Sequence, residues 1–158
     1  MAKYVGEKMP VQCIEALDGR NLERKFGRGY IVITVDANGA PRPCMLSAGE
    51  MLAIDERTVR IALWKDTHTA RNLRRGSPIV ICYVAPNSVF YLKGRPAAVL
   101  TPSNEPPVER FEIAIEAVES DMHEGFPVTD GIRFTCEEHL RSKWLAHWQT
   151  GLSVLREP

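Results

Sequence analysis

No stretch of about 18 apolar residues runs anywhere in the 158-residue sequence, so no membrane-spanning helix is expected. Segment 1–12 carries no apolar run of signal-peptide length either, and the expectation is a cytoplasmic, unprocessed protein. Net charge is absent too: lysine plus arginine total 20 and aspartate plus glutamate total 20. A chain without excess positive charge has no long-range field drawing it to nucleic acid or anionic membrane, and neither partner is expected. Cysteine is sparse and scattered. Cys13, Cys44, Cys82 and Cys136 form no C-x-x-C pair, which fits neither a disulfide framework nor a zinc ribbon and points to reduced thiols. Cys136 and His139 have a spacing that two metal ligands can share, with His123 and His147 as further candidates. No second cysteine pair completes a tetrahedral set, so no metal is expected. No linker or repeat divides the chain, and residues 1–158 are read as one domain.

What is present is a series of short β-type segments with helices between and after them. Pro10 can start a short helix toward Arg24, with Val11, Ile14, Leu17 and Leu22 on one side and Asp18-Gly19 as an early break. Residues 30–35 and 41–47 flank the turn residues Asp36-Ala-Asn-Gly39 and read as a hairpin. Residues 51–54 and 58–64 form a second pair around Asp55-Glu56-Arg57. A short surface helix is predicted over 66–75, ended by Gly76-Ser77-Pro78. Residues 79–85 and 89–100 make two strong strands, the longer one bent near Gly94 and Pro96. Residues 103–107 give a helix-start signal, and Val108, Phe111, Ile115 and Val118 follow at helical spacing, predicting a second, longer helix. Residues 132–135 read as a last strand. A final helix from about Glu137 carries Leu140, Trp144 and Trp148 on one face.

Chemistry concentrates in Ile61-Ala-Leu-Trp-Lys-Asp-Thr-His-Thr-Ala-Arg-Asn-Leu73, where an apolar strand runs into a helix start rich in donors. With Asp66 or Thr67 as N-cap, the free N–H groups of the first turn and the helix dipole converge on one place, which suits an anion. Thr67 and Arg71 stand four residues apart, so hydroxyl and guanidinium can meet one phosphate, with Thr69 beside them and Lys65 or His68 adding charge. The same residues are equally consistent with a plain cap and a solvent-facing arginine.

The order of hairpin, strand, 67–73 helix and paired strands, with Met45-Leu-Ser-Ala-Gly-Glu50, Ala62-Leu-Trp64, the spaced threonines, Asn72-Leu73 and the late Trp144, resembles the pyridoxamine-phosphate-oxidase-like FMN-binding split barrels. That resemblance implies a mainly β split β-barrel with flanking helices, and a homodimer with two FMN molecules at the subunit interface. It implies that backbone near Leu46, Ser47 and Ala48 holds the isoalloxazine edge, with Trp64, His68, Asn72 and Trp144 also near the cofactor. Thr67, Thr69 and Arg71 would be the phosphate group. His68-Thr69 stand where many members carry a lysine. Trp144-Leu-Ala-His-Trp148 replaces the arginine-and-histidine substrate motif of the true oxidases, so pyridoxal phosphate synthesis is not expected.

Two further features have readings of their own. Trp144 and Trp148 can cover a flavin ring or pack a helix on the barrel. Ser47 and Glu50 lack a G-x-S-x-G elbow and read as a strand-end turn rather than a hydrolase pair. The expected function is therefore FMN binding, with flavin-dependent oxidoreductase chemistry on a small-molecule substrate the residues do not specify. The alternative is a non-catalytic flavin or haem binding or storage protein.

Overall fold

The alternation of buried and half-buried residues along 28–35 and 79–85 is the period-2 pattern of strands with one face on a core, and the computed structural model builds both as neighbours in one curled antiparallel sheet. Residues 1–104 and 107–158 are described. In chain order the elements are β1 (Lys3–Gly6), α1 (Val11–Ala16), α2 (Leu22–Lys25), β2 (Arg28–Val35), β3 (Pro41–Ser47), β4 (Met51–Ala53), β5 (Thr58–Trp64), α3 (His68–Arg74), β6 (Ile79–Ala85), β7 (Ser88–Asn104), β8 (Pro107–Ser120), β9 (Ile132–Arg133) and α4 (Glu138–Arg156).

The main path of the sheet runs β3-β2-β6-β7-β8-β5-β4, with β1 added to β8 and β9 to β2. Its two edges, β3 and β4, are consecutive in the chain, so residues 48–50 bridge the two ends of the curled sheet. This seam positions everything that follows. Inside the curl lie Val32, Ile61, Ile81, Leu92, Phe111 and Ile113, each at most 1% exposed, and α1 adds Cys13 and Leu17. A second apolar cluster joins Leu152, Leu155 and Trp148 of α4 to Leu52 and Ala62 of β4 and β5. Arg60 of β5 donates from Nη1 to the Leu155 and Glu157 carbonyls at 3.1 and 2.8 Å, and Arg110 of β8 to Val154 at 2.6 Å. Cations thus satisfy carbonyls that the end of α4 leaves without intrahelical partners.

The hairpin, the 58–64 strand, the short helix and the bent long strand appear as expected, with register shifts in β7 between Lys93 and Gly94 and between Pro96 and Ala98. The early helix breaks where expected: Gly19 and Asn21 have φ of 69° and 51°, separating α1 from α2. Val11, expected on the apolar side, is 63% exposed.

The second long helix is a correction. Residues 107–120 are β8, paired with both β7 and β5. Phe111, Ile113 and Ile115 alternate with Glu112, Ala114 and Glu116, a period-2 pattern that the spacing of Phe111, Ile115 and Val118 concealed. Of its expected start signal, residues 105 and 106 lie outside the described residues. β1 had no counterpart in the sequence reading. The four cysteines are free, and among the described residues no helix is long and apolar enough to cross a membrane.

Candidate functional site

β3 is a free edge, and two of its residues keep it so. Pro41 and Pro43 lack N–H groups and stand opposite Val35 and Ile33, so at those positions the main chain faces away from β2. Alternation then turns the N–H groups of Met45 and Ser47 outward too. Ser47 meets Glu50: its N and Oγ each donate to Oε2 at 2.7 Å, and Glu50 N donates back to the Ser47 carbonyl at 3.1 Å. This is the strand-end turn expected of the pair, and it shapes the seam.

Two clefts open on the seam, separated by Trp148. The first, of about 310 Å3, lies between the end of β3 and the C-terminal segment; Met45, Leu46, Ser47, Phe134, Cys136 and Trp144 are among its walls. The second, of about 190 Å3, lies between Trp64 of β5 and α4, with Gly49, Glu50, Trp144 and His147 around it. Trp148 is 6% exposed and packs against the bare backbone of Gly49, where a Cβ would stand 2.0 Å from its Cγ. Trp144, by contrast, is 43% exposed. Of the two roles expected for these tryptophans, Trp148 takes helix-to-barrel packing, while Trp144 and Trp148 both line the clefts.

The junction after β5 is less simple than the spacing suggested. Asp66 is a left-handed turn residue at φ 63°, and Thr67 is the cap, its Oγ1 accepting from Ala70 N at 3.2 Å. Thr69 is 4% exposed and its hydroxyl bonds the Cys44 thiol; burial pushes that thiol up, the hydroxyl holding it back. Asn72, 3% exposed, donates to Thr34 Oγ1 at 3.0 Å and Asp36 Oδ1 at 2.8 Å, and accepts from Arg75 at 2.6 Å. Thr69 and Asn72 thus join α3 to the barrel, while Thr67 caps α3 itself. Of the three, Asn72 borders the groove that Arg71 faces, and Thr67 and Thr69 do not. Lys65 bonds Asn104 Oδ1 at 3.0 Å.

Arg71 instead faces an open groove of about 550 Å3 with Arg42, His68, Arg75 and Asp36. Among the described residues nothing pairs with its guanidinium. Arg42 and the Asn72 amide hold the Asp36 carboxyl down at about 2. The sequence reading missed Arg42 and Arg75 in this groove, and Phe26 and Phe134 in the first cleft. An Asp-x5-Arg separation across a hairpin and two phenylalanines on different connections give no local signal.

The predicted site residues therefore fall in separate places. Leu46, Ser47 and Trp144 line the first cleft, Trp64 and Trp144 the second, and His68, Arg71 and Asn72 the groove. Ala48 is buried under the seam.

No family model matches the sequence. Solved structures share the architecture at low identity. A protein of Lactobacillus delbrueckii provisionally named a pyridoxamine 5′-phosphate oxidase superposes with a TM-score of 0.57 at 17% identity, over 75% of this chain and 98% of that one. HupZ of Group A Streptococcus gives 0.53 at 16% identity, over 80% and 99%. An FMN-binding protein of Syntrophomonas wolfei gives 0.50 at 13%, over 72% and 90%. The curled sheet with its flanking helices is the split β-barrel of these proteins. Over 150 residues the sequence is 31% identical to the uncharacterized protein YclD of Bacillus subtilis, spanning 94% of this chain and 96% of that protein, and the chain belongs to the YclD family.

Proposed function

We propose that the protein is a cytoplasmic, homodimeric FMN-binding protein acting as a flavin-dependent oxidoreductase on a small molecule. The observation that carries the reading is the first cleft: a slot of about 310 Å3 with flat aromatic walls, bordered by the unpaired edge of β3. A planar ring system with a polar rim needs such a place, apolar faces plus main-chain donors and acceptors at one side. Leu46, Ser47 and Trp144 would border the ring. Arg71, with His68 beside it, remains available for a phosphate; Thr69 and Asn72 are bonded to the barrel, and Thr67 caps α3. Bound flavin would supply the hydride or electron transfer; the chain's part is to bind, orient and exclude water.

The homodimer rests on a different face. Ile31 and Ile33 of β2, Val80, Cys82 and Val84 of β6, all half-buried, and the 52% exposed Met45 share the outer side of the sheet. A second copy would remove this apolar surface from water. The four free thiols support the cytoplasmic part.

The visible spectrum of the purified protein, followed by addition of NADH or NADPH, tests the function. Flavin bands that bleach support it. Flavin bands that persist make the protein a flavin carrier, and absence of flavin uptake overturns the proposal.

A further inference from the structure

The second cleft has a lining that flavin binding does not explain. All three tryptophans of the chain line it, Trp64 from β5 and Trp144 and Trp148 from α4, together with His147 and Glu50. The His147 ring lies nearly parallel to Trp64, 13° between planes at 5.6 Å, and edge-on to Trp144, 88° at 5.6 Å. Trp64 and Trp144 nevertheless stay 45% and 43% exposed, so the rings are braced by neighbours while indole surface remains open to water. Burial against the barrel is therefore not what these two indoles achieve.

The lining carries one carboxylate, Glu50, and one imidazole, His147. No lysine or arginine borders the cleft, and its charged wall is Glu50. Glu50 Oε2 is held by Ser47, as described, and among the described residues no donor reaches Oε1. Indole faces present the negative side of their quadrupole, and a carboxylate adds to that field. An anion would meet repulsion here, and a neutral ring would gain from Glu50 at most a hydrogen bond, without the attraction between opposite charges. We infer that this cleft binds a small organic cation with its charge on nitrogen, of the quaternary-ammonium or N-alkylpyridinium type, held among the tryptophan rings and by Glu50. A volume of about 190 Å3 suits a single ring with a substituent. The inference rests on this cleft alone; if flavin occupies the first cleft, the cation is the substrate class of the same site, since Glu50, Trp144 and Trp148 border both.

The test uses a matched pair of probes, the 1-methylnicotinamide cation and neutral 3-methylbenzamide, which share shape and differ in charge. Calorimetry gives both affinities, and the Trp64 indole Nε1–H signal in nitrogen-15 spectra reports location, because Trp64 lines this cleft and not the first. The cation should bind about tenfold or more tighter than its neutral twin and should move the Trp64 indole signal. Glu50→Gln, which keeps an acceptor for Ser47, should abolish most of that preference. Trp64→Leu, at an exposed position, should weaken the cation about fivefold or more and decides the matter if the glutamine variant fails to fold. Equal affinities, an unmoved Trp64 indole signal, or a preference that survives whichever of these variants fold would overturn the inference. Measured in flavin-free protein and again with FMN added, the result stands or falls separately from flavin binding.

Discussion

Gly49 has no side chain, and the indole of Trp148 fills the space one would need: a Cβ there would come within 2.0 to 2.5 Å of three ring atoms. Gly49→Ala must displace Trp148, the wall between the two clefts. The expected cost is about 1–3 kcal/mol of stability, as for other overpacked cores, with a changed near-ultraviolet tryptophan signal. A denaturant midpoint unaltered by the substitution would mean that α4 does not rest on the seam. Asp36 is a second residue whose role is measurable. Its carboxyl is lowered from 3.8 to about 2 by hydrogen bonds from Arg42 and Asn72. A depressed carboxylate contributes stability that is complete above its unfolded value and is lost as pH falls through the folded one. The stability gap between wild type and Asp36→Asn should thus be full above about pH 4 and fade toward pH 2. A gap independent of pH across that range would remove Asp36 from the α3 junction. Legibility at this scale depended on what competed for each donor. Thr67 as a cap was among the sequence readings, but nothing local reveals that Thr69 meets Cys44 or that Asn72 reaches Thr34 and Asp36, the last two 38 and 36 positions away.

At the scale of elements, the hairpin of β2 and β3 was legible because Asp-Ala-Asn-Gly separates two β-branched, alternating runs, and chemistry and periodicity agree there. In β8 they disagreed: glutamate and alanine favour helix, and the apolar residues satisfy both a three-or-four and a two-residue spacing. Long-range pairing with β5 and β7 decided it, and no local preference encodes that. For α3, Arg71 is the charged member of the expected phosphate group and faces the open groove. A hydrogen bond to a charged group is worth about 1.5–3 kcal/mol, so Arg71→Ala should weaken FMN about ten- to a hundredfold. Riboflavin, which has no phosphate, should bind the variant as it binds wild type. Titration of both ligands checks this, and FMN affinity unchanged in a folded variant would leave α3 a purely structural helix.

For the whole molecule, the decisive feature is that the curled sheet stays split, with consecutive strands β3 and β4 at its two edges and α4 lying along the gap. Such a seam exposes strand edge, apolar wall and charged turn together, which a closed barrel would not. The outer face of β2 and β6 is the other global feature. Ile31→Lys places a charge in its centre, opposite Cys82 and Met45, and should halve the mass in light scattering while leaving circular dichroism unchanged. A dimer that survives it lies elsewhere. Both features meet in sedimentation velocity of the protein with FMN, followed at the flavin absorbance. The account predicts that flavin travels with a boundary of twice the chain mass, one flavin per chain. Flavin that stays behind the protein, or that travels with a single chain, would contradict it.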